Sequence, residues 1–416
     1  MKNTVKKLIA LALAMIMVFA LAACGGSGSS TPANSNTPAG NNTPADSNTP
    51  AAEFKAAKIG VGLYFDTGYY ADNVKAYLAS LGEKLNVEFV YTLLTQTDES
   101  ANLTKVQEMI ASGVDGIILT LDMGTPAILE ECAAADVYVA GFLCDFNTSY
   151  NTAYDAVFKN GHFLGTASDG PCGDDVRAGY DYFDSLIEYN ERNHENPITH
   201  VSLTCFPTWA FPVQQQQIAQ FIESVEKYNE TAETPIVVDP LDEEVDVLQF
   251  APLDSTYFSK HADSQAIMCF ADGATFVYPT MVSAGMDGKI KLFSAGYGEG
   301  TETNFGTAGS ATFQQETVSA IEAVIYPVVL LVNKINGVQF ADQPAEAERV
   351  SCFSIIVNSD EDMDAFGHCL YRSGNLADAF YSADDVVNMT AVANPNATYK
   401  DLVAIMSQMT MDQLLK

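Results

Sequence analysis

The stretch Ser112-Gly-Val-Asp-Gly-Ile-Ile-Leu-Thr-Leu-Asp122 decides the fold of this 416-residue chain. Gly113 ends a predicted helix, and a short strand follows over 116–119. The strand shows no alternation of apolar and polar residues, which is typical of a strand buried on both faces in a parallel sheet. Ligands bind beyond the carboxyl ends of such strands. Thr120 and Asp122 are therefore candidate site residues.

Apolar strands and amphipathic helices alternate on both sides of this stretch. The first series has predicted strands at 58–64, 87–93, 116–119 and 137–143. The second has strands at 163–167, 199–206, 236–238, 265–271 and 290–296. Such alternation predicts βαβ units with right-handed crossovers. Two series predict an α/β protein with two doubly wound parallel-sheet lobes and a cleft between them.

The composition narrows the classes of partner. The chain has 53 acidic and 20 basic residues, which gives a net charge of -33. A charge of this sign argues against nucleic acid and against docking on anionic lipid through a basic face. The length favours two domains, since one core rarely serves so many residues.

The N-terminus predicts export. Lysines at 2, 6 and 7 precede an apolar run over 8–20, and Leu21-Ala-Ala-Cys24 follows. This order describes a secretory signal over 1–23, and its end resembles the lipobox of bacterial lipoproteins, in which the cysteine is acylated. The alternative is a plain signal peptide with an incidental cysteine. Thr-Pro-Ala recurs at 31, 37, 43 and 49, so 24–53 is predicted to be a disordered linker.

Cysteine and histidine spacing gives no sign of a metal site. Seven cysteines remain beside Cys24, and an odd number cannot all pair internally. One disulfide is possible, but the sequence does not identify its partners. Neither a Cys-x-x-Cys pair nor a catalytic or nucleotide-binding motif occurs. We therefore predict no cofactor, no metal and no enzyme activity. The seven are Cys132, Cys144, Cys172, Cys205, Cys269, Cys352 and Cys369.

Several segments together resemble the type I periplasmic binding proteins, in particular the ribose- and galactose-type sugar-binding branch, over 54–350. The segments are Ile59-Gly-Val-Gly-Leu63, Val106-Gln-Glu-Met-Ile-Ala-Ser-Gly-Val-Asp-Gly-Ile-Ile-Leu119, 139–145, Gly165-Thr-Ala-Ser-Asp-Gly170, 265–272 and Leu292-Phe-Ser-Ala-Gly296. The resemblance implies three hinge strands that cross near 168, 312 and 350. Lobe 1 would hold 54–168 and 313–350, and lobe 2 would hold 169–312 and 351–416. The tail over 351–416 matches the family least.

The resemblance also implies a function. Such a protein binds a sugar or related polyhydroxyl compound as the lobes close, and then delivers it to an ABC permease. We expect a monomer on the extracytoplasmic face of the membrane, held only by the lipid at Cys24. One alternative is a sensor that presents its ligand-bound form to a membrane kinase or chemoreceptor. Another is a binding protein for a nucleoside, an amine or an amino acid.

Carboxylates follow five predicted strands and are candidates for ligand contact. There they would accept hydrogen bonds from sugar hydroxyls or pair with an amine. The alternative is that aspartate simply favours loops and helix N-caps. These residues are Asp66, Asp98, Asp122, Asp145 and Asp272.

Aromatic and amide side chains complete the candidate site. Trp209 is the only tryptophan and lies in a loop after a predicted strand, where its flat ring suits stacking on a sugar. The alternative for Trp209 is that it covers the surface of its own lobe, and core packing is the alternative for Tyr69, Tyr70 and Phe146. In the family an arginine follows the aspartate corresponding to Asp145, and here Phe146 stands in its place. The other candidates are Tyr69, Tyr70, Gln214 and Tyr297, the last where the family has an aspartate.

Overall fold

Parallel strands dominate the computed structural model, which describes residues 53–146, 152–306 and 310–416. The strands of this part are β1 Ala57–Leu63, β2 Val87–Leu93, β3 Gly116–Leu119, β4 Tyr138–Phe142, β5 Phe163–Ala167, β6 His200–Thr204, β7 Val237–Val238, β8 Ala266–Asp272, β9 Lys291–Ala295, β10 Phe313–Ser319, β11 Arg349–Val350 and β12 Ser354–Val357. They form one sheet of order β11-β5-β4-β3-β1-β2 and a second of order β12-β10-β9-β8-β6-β7. Only β12 is antiparallel, to β10.

Helices cover both sheets. They are α1 Gly68–Leu85, α2 Glu99–Ala111, α3 Thr125–Ala134, α4 Tyr154–Phe158, α5 Ala178–Arg192, α6 Val213–Asn229, α7 Thr256–Lys260, α8 Gly273–Phe276, α9 Tyr278–Ser283, α10 Glu299–Asn304, α11 Ile325–Ile335, α12 Asp360–Phe366, α13 Leu370–Ser373, α14 Ala383–Met389, α15 Tyr399–Met406 and α16 Met411–Leu414. The predicted α/β class with two mostly parallel sheets is thus confirmed. We call the first sheet with its helices lobe 1 and the second with its helices lobe 2.

The strand β3 is buried on both faces, as its sequence predicts. Ile118 packs into the core on one side of the first sheet, together with α1 and α11. Ile117 and Leu119 pack into a separate core on the other side. Successive side chains of a strand point to opposite faces, so an unbroken apolar run fills both cores.

The strand β8 repeats this arrangement in lobe 2. Met268 and Phe270 join the core that α5 and α6 cover, whereas Ile267 and Cys269 join the core on the opposite face. Each lobe therefore has three layers, with a sheet between helices, as doubly wound folds require.

The chain crosses between the sheets three times. It leaves the first sheet after β5, returns after β10 and crosses again between β11 and β12. The first crossing follows Ala167, and the third lies between Val350 and Ser354. The second lies after Ser319 and not near 312, because β10 pairs with β9 and β12 and so belongs to lobe 2. The helix α11 then packs on β3, β4 and β5.

The C-terminal tail divides between the lobes, which differs from its predicted assignment to lobe 2. The helices α12 and α16 pack near β12. In contrast α13, α14 and α15 pack against α1 or α11. The reason is apolar burial: Leu370, Val386 and Leu402 lie in the core on the α1 side of the first sheet.

The seven cysteines of the described residues are all buried and free, so the disulfide left open by the sequence does not form among them. Cys24, the signal segment over 1–23 and most of the linker lie outside the described residues. Within the described residues, no helix combines the length and apolarity needed to span a bilayer.

Candidate functional site

A cavity of about 1640 Å³ lies between the carboxyl ends of the two sheets. Segments after β1, β3, β4 and β5 line it from lobe 1, and segments at the ends of β6, β8, β9 and β10 line it from lobe 2. Pockets for small molecules commonly measure roughly 300–1,000 Å³. The cavity is therefore large enough for a sugar-sized ligand together with ordered water.

The structure brings most of the candidate residues together at this cavity. Nine of them line it: Tyr69, Tyr70, Thr120, Asp122, Asp145, Trp209, Gln214, Asp272 and Tyr297. Asp66, Asp98 and Phe146 are not among its lining residues.

The three exceptions have separate physical causes. Asp98 is exposed and caps α2, where its side chain accepts a hydrogen bond from the Ala101 amide at 3.0 Å. Asp66 is exposed in the loop before α1. Phe146 has a φ of 48°, in the left-handed region, and its fully buried ring packs edge-on to Phe163 at 5.2 Å between centroids. In the structure, Asp98 is a helix cap, Asp66 lies on the surface and Phe146 packs in the core. These positions are the alternatives to ligand contact.

Asp145 is paired with an arginine that sequence reasoning missed. Its Oδ1 lies 3.2 Å from Nη1 of Arg349, and about one-fifth of each side chain is exposed. Arg349 belongs to β11, which pairs with β5 beside β4. An arginine from a distant segment thus pairs with Asp145, although Arg349 itself is not among the residues that line the cavity.

Asp169 is a second residue that the sequence analysis did not single out. It lies in the crossing after β5, lines the cavity and accepts a hydrogen bond from Ser319 Oγ at 2.8 Å. The surrounding protein raises the pKa of Asp169 by desolvation, and the charge of Asp145 adds to this. The sequence signal that could have identified Asp169 is its position just after a predicted strand, in Ala167-Ser-Asp-Gly170.

Asp122 shares this acidic environment. Desolvation raises the pKa of Asp122 to about 6, a hydrogen bond from Tyr154 opposes the rise, and the charge of Asp145 contributes to it. Thr120, two residues earlier, donates its hydroxyl hydrogen to the Gly62 carbonyl at 2.8 Å. Its hydroxyl is therefore left only as an acceptor for a ligand.

Asp272 caps a helix and also lines the cavity. Its carboxylate caps α8 and accepts hydrogen bonds from the Thr275 amide at 2.9 Å and the Thr275 hydroxyl at 2.7 Å. Burial raises its pKa. Gly296 has a φ of +82°, and a Cβ there would lie 2.6 Å from the Asp272 carboxyl carbon. Glycine at 296 therefore allows the backbone to approach this carboxylate.

Aromatic rings form the lobe 2 wall of the cavity. Phe206 stands at the centre of the group, with ring centroids of Phe211 and Phe250 at 5.0 Å and Phe276 at 5.2 Å. Trp209 packs edge-on to Phe250 at 5.8 Å and remains 60% exposed. All five rings line the cavity, so this wall offers flat apolar surface.

Gln214 supports that wall. Its Oε1 accepts a hydrogen bond from the Phe206 amide at 2.7 Å, and the side chain is only 6% exposed. This bond fixes the loop after β6. Only the amide nitrogen of Gln214 is left for a ligand.

Tyrosines form part of the lobe 1 wall. Tyr70 stacks on Phe142 at 6.0 Å, and Tyr64 lies 5.5 Å from Tyr70. Tyr69 meets Tyr297 of lobe 2 at 5.4 Å, edge to face. The cavity thus combines carboxylates, which accept hydrogen bonds, with aromatic faces, which stack on flat ligands. Among the described residues, no group of three or more side chains suits a metal ion.

Comparisons with known proteins agree with this architecture. No protein-family model and no curated protein matches the sequence. Among solved structures, the chain is similar to an ABC transporter solute-binding protein from Burkholderia graminis in complex with D-arabinose, with a TM-score of 0.53 and 14% identity over 75% of this chain and 98% of that one. The chain has the fold of sugar-binding type I periplasmic binding proteins.

Two further solved structures share this fold. One is a solute-binding protein from Agrobacterium vitis bound with alpha-D-tagatopyranose, with a TM-score of 0.54 and 12% identity over 74% of this chain and 97% of that one. The other is a 5-methylthioribose transporter solute-binding protein from Thermotoga lettingae, with a TM-score of 0.50 and 10% identity over 85% of this chain and 97% of that one. At these identities, the likeness concerns the fold.

Proposed function

We propose that the protein is the extracytoplasmic solute-binding lipoprotein of an ABC importer and binds a sugar or related polyhydroxyl compound between its lobes. The observation that carries this proposal is the cavity at the carboxyl ends of both sheets. Carboxylates of Asp122, Asp145 and Asp169 line it from lobe 1 and the first crossing. The ring wall around Phe206 lines it from lobe 2.

The two walls suit the two kinds of surface that a sugar offers. Sugar hydroxyls donate hydrogen bonds to carboxylates, and a bond to a charged group contributes about 1.5–3 kcal/mol. The C–H face of the sugar ring packs on an aromatic ring such as that of Trp209. Closure of the lobes removes water from both contacts, so the closed form is the one that the ligand stabilises.

The three crossings between the sheets allow such a closure. They are short segments at the ends of strands, and hinge motions use only a few residues at the ends of elements. We propose that the permease recognises the closed form. The lipid at Cys24 and the linker over 24–53 would keep the monomeric protein beside it on the extracytoplasmic face.

A thermal-shift screen tests the proposal. The panel contains D-arabinose, D-tagatose and 5-methylthioribose, which are the ligands of the similar structures, together with polyols, nucleosides and amino acids. A ligand at one hundred times its dissociation constant stabilises the folded state by about 2.7 kcal/mol. We expect a sugar or polyol to raise the melting temperature and to change the emission of Trp209. A response to amino acids or nucleosides alone would contradict the proposed ligand class.

A further inference from the structure

The segment Leu370–Ser373 with Gly374 brings the C-terminal tail to the cleft. Tyr371, Arg372, Ser373 and Gly374 all line the cavity, more than two hundred residues away in sequence from the first strand ends. Most of the helices that follow pack on the outside of lobe 1. The tail therefore reaches the same cavity that the two sheets enclose.

Hydrogen bonds from lobe 1 fix this segment. Asn73 of α1 donates through Nδ2 to the carbonyls of Leu370 and Tyr371, at 3.2 and 2.8 Å. Gly374 has a φ of +64°, and a Cβ there would lie 3.0 Å from Oδ1 of Asn73. The segment is thus held in a defined conformation against α1.

Most charged residues that line the cavity are acidic, and this segment contributes a positive charge. Among the described lining residues, six are carboxylates and only one, Arg372, is a cation. The carboxylates are Asp72, Glu99, Asp122, Asp145, Asp169 and Asp272. Ionised carboxylates only accept hydrogen bonds, whereas the guanidinium group only donates them. The tail can therefore supply a charged hydrogen-bond donor to an oxygen atom of the ligand.

Two hydrogen bonds to lobe 2 residues orient Arg372. Its Nε donates to Oε1 of Glu302 at 3.0 Å, and its Nη1 donates to the Met363 carbonyl at 2.7 Å. Glu302 lies in α10 of lobe 2, and Tyr297 also donates to Oε1 of Glu302 at 2.8 Å. Two of the three guanidinium nitrogens are thus engaged, and Nη2 has no hydrogen-bond partner among the described residues, so it can donate to a ligand.

Tyr371 supplies a second donor. Its ring packs against Phe366 at 5.9 Å and Tyr297 at 6.4 Å, and only 8% of the residue is exposed. Burial raises the pKa of Tyr371, and the charges of Asp272 and other acidic groups add to this. The phenol therefore keeps its proton and can donate it in a hydrogen bond.

We propose that the tail segment Leu370–Gly374 completes the ligand site, with Tyr371 and Arg372 as specificity-determining hydrogen-bond donors to an oxygen-rich ligand. This inference rests on the proposed function and adds residues to the same site. It assigns to the tail the one cation among the described residues that line the cavity, whereas the charged residues of the strand-end loops there are carboxylates.

Paired variants test this assignment, with D-arabinose, D-tagatose and 5-methylthioribose as probes. Tyr371→Phe keeps the ring packing and removes the hydroxyl. Tyr381→Phe is its control, since Tyr381 lies on the tail, donates to Gln408 at 3.3 Å and does not line the cavity. Arg372→Gln is matched by Arg192→Gln, because Arg192 also contacts a carboxylate and a backbone carbonyl, away from the cavity.

The readout is the dissociation constant by titration calorimetry, for whichever probe binds the wild-type protein most tightly. Loss of one such hydrogen bond weakens binding about tenfold, and we expect at least this for both test variants with controls within about twofold. Amide hydrogen exchange of 370–374 should also slow when the probe is added. The melting temperature of each free variant shows whether it folds.

The outcomes separate the two proposals. Wild-type binding that both test variants retain, or amides over 370–374 that the probe does not protect, would overturn the tail assignment alone. Equal loss in Tyr371→Phe and Tyr381→Phe would also overturn it, because the effect would then be general to the tail. If neither these probes nor any other sugar or polyol of the thermal-shift panel binds the wild-type protein, the proposed ligand class fails and the tail assignment fails with it.

Discussion

At the scale of single residues, the ion pair with Arg349 gives Asp145, a candidate ligand-binding residue, a second and structural role. A carboxylate in a ligand loop that has no other partner contributes to binding and little to stability. Here the carboxylate also neutralises Arg349, whose side chain is about one-fifth exposed. Removal of one member of a partly buried pair leaves the other charge poorly compensated. Under the proposed function, Asp145 would therefore couple ligand binding to the stability of lobe 1.

We expect Asp145→Ala to weaken probe sugar binding and to lower the free energy of unfolding by about 1–3 kcal/mol, because Arg349 loses its carboxylate. Chemical denaturation and calorimetric titration measure the two effects. In the double variant with Arg349→Met, the stability losses should be less than additive. Asp66→Ala is the control, since Asp66 is exposed and does not line the cavity. An unchanged unfolding free energy in Asp145→Ala would show that the pair contributes nothing to stability.

At the scale of elements, the second crossing carries a buried acid. Glu322 lies in the turn Ile321–Val324 between β10 and α11 and is 0% exposed. Its Oε1 accepts a hydrogen bond from the Phe380 amide of the tail at 2.9 Å, and its Oε2 has no partner among the described residues. Burial raises the pKa of Glu322 to about 7. Tyr77 and Cys369 are the titratable groups that face it.

The folded protein therefore binds a proton at Glu322 more tightly than the unfolded chain does, where the pKa is about 4.5. Stability should fall as the pH rises between these two values. Glu322→Gln keeps an oxygen for the Phe380 amide and removes the charge. We expect it to stabilise the protein by about 1–3 kcal/mol at pH 8 and to have little effect at pH 4.5. Thermal unfolding at the two pH values measures this.

Two controls sharpen that experiment. Glu322→Ala should destabilise the protein at both pH values, because it removes the acceptor for Phe380 and leaves a cavity. Glu361→Gln changes a carboxylate on the exposed first turn of α12 and should shift the unfolding curve equally at both pH values. A Glu322→Gln variant that is less stable than the wild type at pH 8 would mean that Glu322 is ionised and satisfied in the folded protein.

At the scale of the whole molecule, the net charge of -33 on the full chain makes the proposed tethered domain strongly acidic. Anionic lipid head groups repel such a domain, so a polar linker and a covalent lipid would hold it near a membrane without adsorption.

We expect Cys24→Ala to release the protein from membranes into the soluble fraction, because the proposed acylation site is lost. Fractionation of cells followed by immunodetection measures the distribution. Cys172→Ala is a suitable control, since Cys172 is buried in the folded part and should leave membrane attachment unchanged. Continued membrane attachment of Cys24→Ala would contradict the lipoprotein assignment.

The sequence alone determined the two sheets and the edge at which their polar loops meet. Unbroken apolar runs such as 116–119 report burial on both faces, and this information is local, because side chains alternate along a strand. Thr120, Asp122 and Asp272 follow such strands directly, so sequence order was enough to place them at the cavity.

Only the tertiary structure decided which side chains meet there and which turn away. Phe146 follows the same strand as Asp145, but its left-handed backbone and buried ring place it in the core. Arg349 pairs with Asp145 and Arg372 lines the cavity, each from a segment remote in sequence. Hydrophobic periodicity records which face of an element is buried, whereas pairings between distant segments follow from the packing of whole lobes, which no local pattern encodes.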